Sequence, residues 1–350
     1  MKIIHTADIH LGSKINTFPK DVSEERKEEL RNSFKRMVDY ANRNLVSAII
    51  LSGDVFDSDK PFRKDKDFFL SVVKNNPSIT FFYLRGNHDK VYEEISLANL
   101  KCFDNEWKTY DFQGVKISGI ELNAENSSSY YSTLNLDKDS VNIVMLHGEV
   151  SDSVGVNKVN LSKLKGKGVD YLALGHYHSF KSVKIDERGV SVYSGCLEGR
   201  GYDETGEKGF ALLDIEDKIN YEFIPFSNRN ISLATIEVTG LNDAYAVFLR
   251  AKEVCNFSKN DIYRVELVGE IDASLDGVSK DLAKYLSDHA KYVDVKDYTK
   301  KKINVEKYAY DNSVVGEFVR EVYSSDFSDD DKARIIAYGL KALSGGEIEE

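Results

Sequence analysis

The chain has 350 residues, 41% hydrophobic and 30% charged, enough for a full core and for more than one domain. Lys and Arg total 47 against 58 Asp and Glu, and the resulting net charge of -11 excludes bulk attraction to nucleic acid, so any polynucleotide must be held locally or through a partner. No run approaches ~20 unbroken apolar residues, Met1 leads into a strand-like segment without a signal-peptide pattern, and three cysteines at unrelated spacings suit a reducing compartment, so the expectation is a cytoplasmic protein with no membrane partner.

Residues 2–6 read as a strand. After Asp21 a long helix places Leu30, Phe34, Met37, Val38, Ala41 and Leu45 on one buried face. Strands recur at residues 47–51, 80–84, 142–146 and 171–174. From Phe180 short alternating strands at 182–185, 190–193, 210–214 and 221–224 look like antiparallel additions to the same domain. Pro225 and the polar run 227–230 mark a boundary. Beyond it the pattern is strand (231–238), helix (243–255), strand (261–268), helix (278–289) and strand (292–295), a small two-layer α+β unit. Two amphipathic helices close the chain. One carries Val314, Val315, Phe318, Val319 and Val322, the other Ile335, Ile336, Leu340 and Leu343 behind a cap at Ser328. Both are expected to dock on their own domain, with a partner helix as the alternative. The expected domains are residues 1–228, 229–310 and 311–350.

Five short blocks set metal-binding side chains beside glycine: Asp8-Ile9-His10, Gly53-Asp54-Val55-Phe56-Asp57, Gly86-Asn87-His88-Asp89, His147-Gly148 and Gly175-His176-Tyr177-His178. They hold five of the seven histidines. Each follows a predicted strand, so all five fall on loops at strand ends, where open α/β sheets place their sites. The set supplies carboxylate, imidazole and one amide, the mixture that a two-metal phosphoester-cleaving site uses. Asp54 is the natural bridge, Asp8, His10 and His178 are assigned to one metal, and Asn87, His147 and His176 to the other. Imidazole with carboxylate admits manganese, iron or zinc and disfavours calcium. Two such ions would activate water for in-line attack on phosphorus. His88 is assigned to protonate or stabilise the leaving oxygen, and Asp57 and Asp89 to orient a histidine. His5 reads as structural, and His289 receives no role.

This set resembles the calcineurin-like metallophosphoesterase superfamily. Residues 5–12 (His-Thr-Ala-Asp-Ile-His-Leu-Gly), Gly53-Asp54-Val55-Phe56-Asp57 with Pro61, and the stretches 194–200 and 204–209 are similar to the SbcD-type DNA repair nucleases and their YhaO-like relatives. The resemblance covers residues 1 to about 225. It implies an α/β fold in which a two-sheet sandwich is flanked by helices, with a smaller C-terminal α+β capping domain. It also implies a manganese-dependent DNA exonuclease and endonuclease, and an SMC-like coiled-coil ATPase partner of SbcC type for the two tail helices. A homodimer is left open. Residues 229–350 hold more acids than bases, so DNA contacts would come from local clusters: Lys163-Lys165-Lys167, Lys181 with Lys184, Arg200 with Lys208, or Lys300 to Lys302. Arg200, within the resembling segment, is the first candidate for binding phosphate.

Two other readings compete. A phosphodiesterase for small substrates or a protein phosphatase is one; Arg85-Gly86-Asn87-His88 is compatible with the latter, but Ser58-Asp59 stands where serine/threonine phosphatases carry Arg-Gly, and the Gly175-His176-x-His178 pair also argues against it. A non-catalytic DNA-end or ATPase-binding subunit is the third. Leu343-Ser344-Gly345-Gly346-Glu347 looks like an ABC-type ATPase signature, but without any phosphate loop in the chain it reads as a helix stop.

Overall fold

Apolar strands buried on both faces form the centre of the first of two units, Met1–Asn230. The computed structural model describes residues 1–89, 97–241, 243–272, 275, 277–302 and 308–343. The first unit begins β1 (Lys2–Thr6), α1 (Lys20–Arg43), β2 (Val46–Ser52), α2 (Arg63–Lys74), β3 (Thr80–Leu84), β4 (Leu100–Cys102), β5 (Lys108–Phe112) and β6 (Val115–Gly119). It continues α3 (Tyr130–Thr133), β7 (Val141–His147), β8 (Glu149–Val150), β9 (Lys158–Val159), β10 (Tyr171–Gly175), β11 (Lys181–Lys184), β12 (Val190–Tyr193), β13 (Gly209–Ile215) and β14 (Ile219–Pro225).

Two six-stranded sheets result, ordered β14-β13-β1-β2-β3-β4 and β11-β12-β10-β7-β6-β5. Between them Ile3, Ile50 and Phe82 meet Ile143, Met145 and Ala173. Helices α1 and α2 cover the outer face of the first sheet through Phe34 and Phe69. Tyr130 of α3 and Leu164 of a short 3-10 turn (Leu161–Leu164) cover the second. The unit is therefore a two-sheet sandwich flanked by helices. Strands β1, β2 and β3 run parallel, as do β7 and β10, which carries the loops after them to the same edge of each sheet.

Three details depart from the expectation. Leu45 does not join the buried face of α1: the helix stops at Arg43, and Leu45 sits 85% exposed in a left-handed turn (φ 57°). The added strands are not all antiparallel, because β12 pairs parallel with β10, while β11, β13 and β14 add antiparallel. Helix α2 and the hairpin β5–β6 were not anticipated. The hairpin turns on Gln113 and Gly114, both left-handed, with Asp111 accepting from the Gly114 N–H.

The second unit, Ile231–Glu350, contains β15 (Ile231–Glu237), α4 (Ala244–Val254), β16 (Ile262–Val268), β17 (Glu270–Asp272), α5 (Val278–Leu286), β18 (Tyr292–Asp297), β19 (Lys300–Lys302), α6 (Val314–Ser324) and α7 (Asp329–Leu343). Its main sheet, β15-β16-β18, is parallel throughout, and α4 and α5 supply the crossovers that parallel pairing requires. Val247, Ala251, Leu282 and Leu286 pack on Val265 and Leu267. Helices α6 and α7 pack against each other with Val319 and Ile336 fully buried, whereas Val314 is exposed. Ser313 caps α6 through the Gly316 N–H, and Ser328 accepts from the Asp331 N–H at the start of α7. Residues 344–347, read above as a helix stop, lie outside the described residues. Among the described residues no helix is long and apolar enough to cross a membrane.

Phe34 is fully buried and stacks on Phe69, so Phe34→Ala is expected to cost about 3–5 kcal/mol in chemical denaturation. Leu45→Asn is expected to stay within about 0.5 kcal/mol.

His5, enclosed between the sheets with Nδ1 2.9 Å from the Tyr171 hydroxyl, has its pKa driven by burial down to about 3 from 6.5. Its unfolded form takes up a proton that the folded form refuses, so this group's contribution to stability is lost as pH falls between those values. The slope is at most about 1.4 kcal/mol per pH unit. His5→Asn should flatten the acid limb of a stability-versus-pH curve.

Candidate metal centre

The five glycine-flanked blocks follow β1, β2, β3, β7 and β10. The first two are zipped together beyond their strands: Asp8 N–H donates to Gly53 O (3.0 Å), His10 N–H to Asp54 O (3.0 Å) and Leu11 N–H to Val55 O (2.8 Å). Asp8, His10, Asp54 and His176 all have positive φ (52°, 51°, 51° and 100°), a conformation side chains adopt at a cost and one that turns these groups inward from the sheet edge. The glycines allow close approach. A Cβ on Gly53 would lie 2.2 Å from His147 Nδ1, and one on Gly86 would lie 2.1 Å from Asp54 Oδ1.

Among the described residues, metal-competent donor atoms fall into two groups: Asp8, His10 and His178, and Asp8, Asp54 and His147. His10 Nε2 faces His178 Nε2 at 3.3 Å, and His178 Nε2 lies 3.7 Å from Asp8 Oδ1. His147 Nε2 lies 3.4 Å from Asp54 Oδ2 and 3.0 Å from Asn87 Oδ1. Asp8 is common to both groups, and Asp54 joins the second. His176 stands beside them, its ring 5.4 Å from that of His147, but it is solvent-exposed and outside both groups; its backbone N–H donates to both Asp8 oxygens at 3.0 and 2.9 Å. His88 is also exposed, its ring 5.6 Å from that of His10 and its N–H on Asp54 Oδ1 at 2.9 Å.

These donors suit a cation. The nearest partner of each Nδ1 is an acceptor: Asp57 Oδ1 for His10 (3.0 Å), Glu204 Oε1 for His178 (2.7 Å) and Ser52 O for His147 (2.9 Å). The proton of a neutral His178 or His147 ring therefore sits on Nδ1, His10 Nδ1 stands at ion-pair distance from Asp57, and the Nε2 atoms face one another or carboxylate and amide oxygens. Acceptors facing acceptors need positive charge between them. The residues show the same demand. Burial pulls the His147 pKa down, yet Asp54 and Asp8 raise it to about 9. Burial raises the Asp8 pKa against the pull of His147 and His178, while Asp54 is held well below the usual range, burial being outweighed by His147. A mixed imidazole and carboxylate set fits manganese, iron or zinc.

Residues 1–180 match the calcineurin-like phosphoesterase family. The chain belongs to that family. As a phosphoesterase of this kind it is a hydrolase acting on phosphoesters. It is 29% identical over 283 residues to the uncharacterized metallophosphoesterase YhaO of Bacillus subtilis, covering 74% of this chain and 68% of that one. It is also 24% identical over 295 residues to the DNA double-strand break repair protein Mre11 of Sulfolobus acidocaldarius, covering 77% and 76%. With Mre11 of Saccharolobus solfataricus it shares 26% identity over 267 residues, covering 69% and 66%.

Around the donors of this phosphoesterase, several outer groups differ from the expectation. Asp57 does face a histidine, His10. Asp89 does not: it is buried and accepts from the backbone N–H groups of Val55 (2.8 Å) and Phe56 (2.7 Å), so it holds the loop behind Asp54. Burial, with Asp54 nearby, pushes its pKa up to about 7. Arg200 and Lys208 form no surface cluster for DNA. Lys208 is buried and donates to His178 O (2.9 Å) and Ser179 Oγ (3.2 Å), and the Arg200 guanidinium is committed to Asp57 and Glu204. Glu204, the partner of His178, was missed. The one signal in the sequence was an acid four residues after Arg200 in the family-like segment. A cleft of about 380 Å³ opens beside Asn87 and His147, bounded further by Arg85, Glu121, Asn157 and Val156.

Gly86→Ala places a methyl group against Asp54 with no flexible neighbour to yield, so it should abolish the rise in thermal midpoint that added Mn2+ gives the parent protein. Differential scanning fluorimetry with and without metal checks this.

Proposed function

We propose that this phosphoesterase is a manganese-dependent DNA exonuclease and endonuclease of DNA repair, acting with an SMC-like coiled-coil ATPase. The observation that carries the reading is the extent of the likeness to the Mre11 break-repair protein: 295 residues, well past the 180 that define the family domain. The assignment of Asp8, His10, Asp54, Asn87, His147, His176 and His178 as ligands of two metals belongs to the same proposal, as does the leaving-group role of His88.

When bound, two divalent ions would polarise the phosphoryl group and activate water for in-line attack. The protein's own residues do the rest. Asp8, Asp54, His10, His147 and His178 are buried or half-buried and hold fixed directions, which limits reorganisation during the reaction. His88 lies at the open rim, where its ring can reach a leaving oxygen while its backbone N–H steadies Asp54. His176, exposed beside the His147 ring, stands next to the donors it is proposed to join. With a net charge of -11, DNA must be gripped by local cations. Lys163 and Lys165 are exposed near the 3-10 turn, and Lys181 and Lys184 are exposed on β11. Helices α6 and α7 are the segment proposed for the ATPase.

One observation favours a second reading, a phosphodiesterase or phosphatase for smaller substrates: the cleft of about 380 Å³ beside Asn87 has the size of a small-molecule site.

The purified protein should degrade end-labelled linear DNA with Mn2+, and His88→Ala should lower the rate about 10²–10⁴-fold without changing metal content by elemental analysis. A chromogenic phosphodiester and a phosphopeptide run in parallel decide between the readings. Rapid turnover of either with intact DNA would reject the nuclease, and full activity of His88→Ala would reject its role.

A further inference from the structure

We propose that Arg200 is a positioning residue that assembles one half of the metal centre by cross-linking the two carboxylates behind it. This rests on Asp8, His10 and His178 being metal ligands. Arg200 Nη1 donates to Asp57 Oδ1 at 2.7 Å, and Asp57 Oδ1 lies 3.0 Å from His10 Nδ1. Nη2 and Nε donate to Glu204 Oε1 at 2.7 and 3.1 Å, and Glu204 Oε1 lies 2.7 Å from His178 Nδ1. A second Glu204 oxygen accepts from the Arg200 backbone N–H at 2.8 Å. Two chains thus leave one guanidinium and end on the Nε2 atoms that face each other across 3.3 Å. The planar fork of Arg reaches both carboxylates at once; a lysine ammonium is a single point.

The loop that carries Arg200 is itself anchored. Arg26 of α1 donates to Glu198 (2.9 Å) and to Gly199 O (2.7 Å), and Ser33 donates to Glu198. Lys208 closes the other end on the His178 carbonyl. The second half of the centre is built differently. There the His147 Nδ1 faces a neutral carbonyl, Ser52 O, and Asp54 is steadied by a backbone N–H. Arg200 therefore bears on one metal position and not on the other. That asymmetry distinguishes a positioning role from general support of the fold.

The test is calorimetric titration of the chelator-treated full chain with Mn2+, for the parent protein, Arg200→Met, Arg200→Lys and Glu204→Gln. Arg200→Met should weaken one binding step about 10- to 100-fold and leave the other within about twofold. Arg200→Lys should recover only part of the loss. Glu204→Gln, which keeps the volume and carries the test if Arg200→Met does not fold, should weaken the same step, and the double variant should be no worse than the poorer single one. Parent-like binding of both ions by Arg200→Met, or equal weakening of both steps, overturns the proposal while the metal centre stands. No Mn2+ binding by the parent protein overturns the metal-centre reading and this proposal together.

Discussion

Two carboxylates, Asp8 and Asp54, are almost fully buried after the neighbouring strands β1 and β2 of the first sheet, and the rest of the site is arranged around that charge. An unmatched buried ion costs several kcal/mol, so the surroundings must supply positive charge or hydrogen-bond donors. Backbone N–H groups of His176 and His88 provide part of this, and imidazoles whose protons point outward leave the remainder to a cation. The same requirement explains the left-handed backbone at Asp8, His10 and Asp54: each carboxylate or ring is turned back over the sheet edge, and paired loop backbones hold it there.

Charge compensation continues outward in layers. Behind the imidazoles stand Asp57 and Glu204, behind those Arg200, and beyond Arg200 its neighbours Glu198 and Gly199 are tied to Arg26. Helix α1 therefore has two jobs. Its apolar residues Phe34, Met37 and Val38 cover the first sheet, while Arg26, Glu29 and Ser33 are buried in a polar network that includes Glu198 and Arg229. A helix that only covered a sheet would have no use for three buried polar side chains, which would each carry a desolvation cost. Here every one has a partner, and the network fixes the loop that backs His178.

Much of this was legible in the residues. Apolar runs of five to seven residues ending in Gly-Asp, Gly-Asn-His or Gly-His-x-His revealed both the buried strands and the loops after them, because parallel strands between helix layers are apolar on both faces and their sites lie at their ends. Leu45 was misread because its spacing continues the apolar period of α1 one turn beyond Ala41, whereas the helix ends at Arg43 and Leu45 turns left-handed. Hairpin β5–β6 was missed because its strands are short and mix charged residues with apolar ones: Lys108, Asp111 and Lys116 interrupt Tyr110, Phe112, Val115 and Ile117.

What the chain by itself determined is the chemistry: which side chains can bind metal, their order, and their position after strands, since these follow from local period and residue type. Which atoms meet was decided only in three dimensions. Asp89 is one residue from His88 but serves the backbone of residues 55 and 56, and Arg200 is 143 residues from the Asp57 it holds. Asp8, from the loop after β1, joins one donor cluster with His10 and His178 and another with Asp54 and His147. Hydrogen-bond partners across such separations are set by how the sheets stack and where the loops fold back. Local pattern carries no information about either, because the same Arg-x-x-x-Glu spacing serves equally as a solvated surface pair or as the brace behind a metal site.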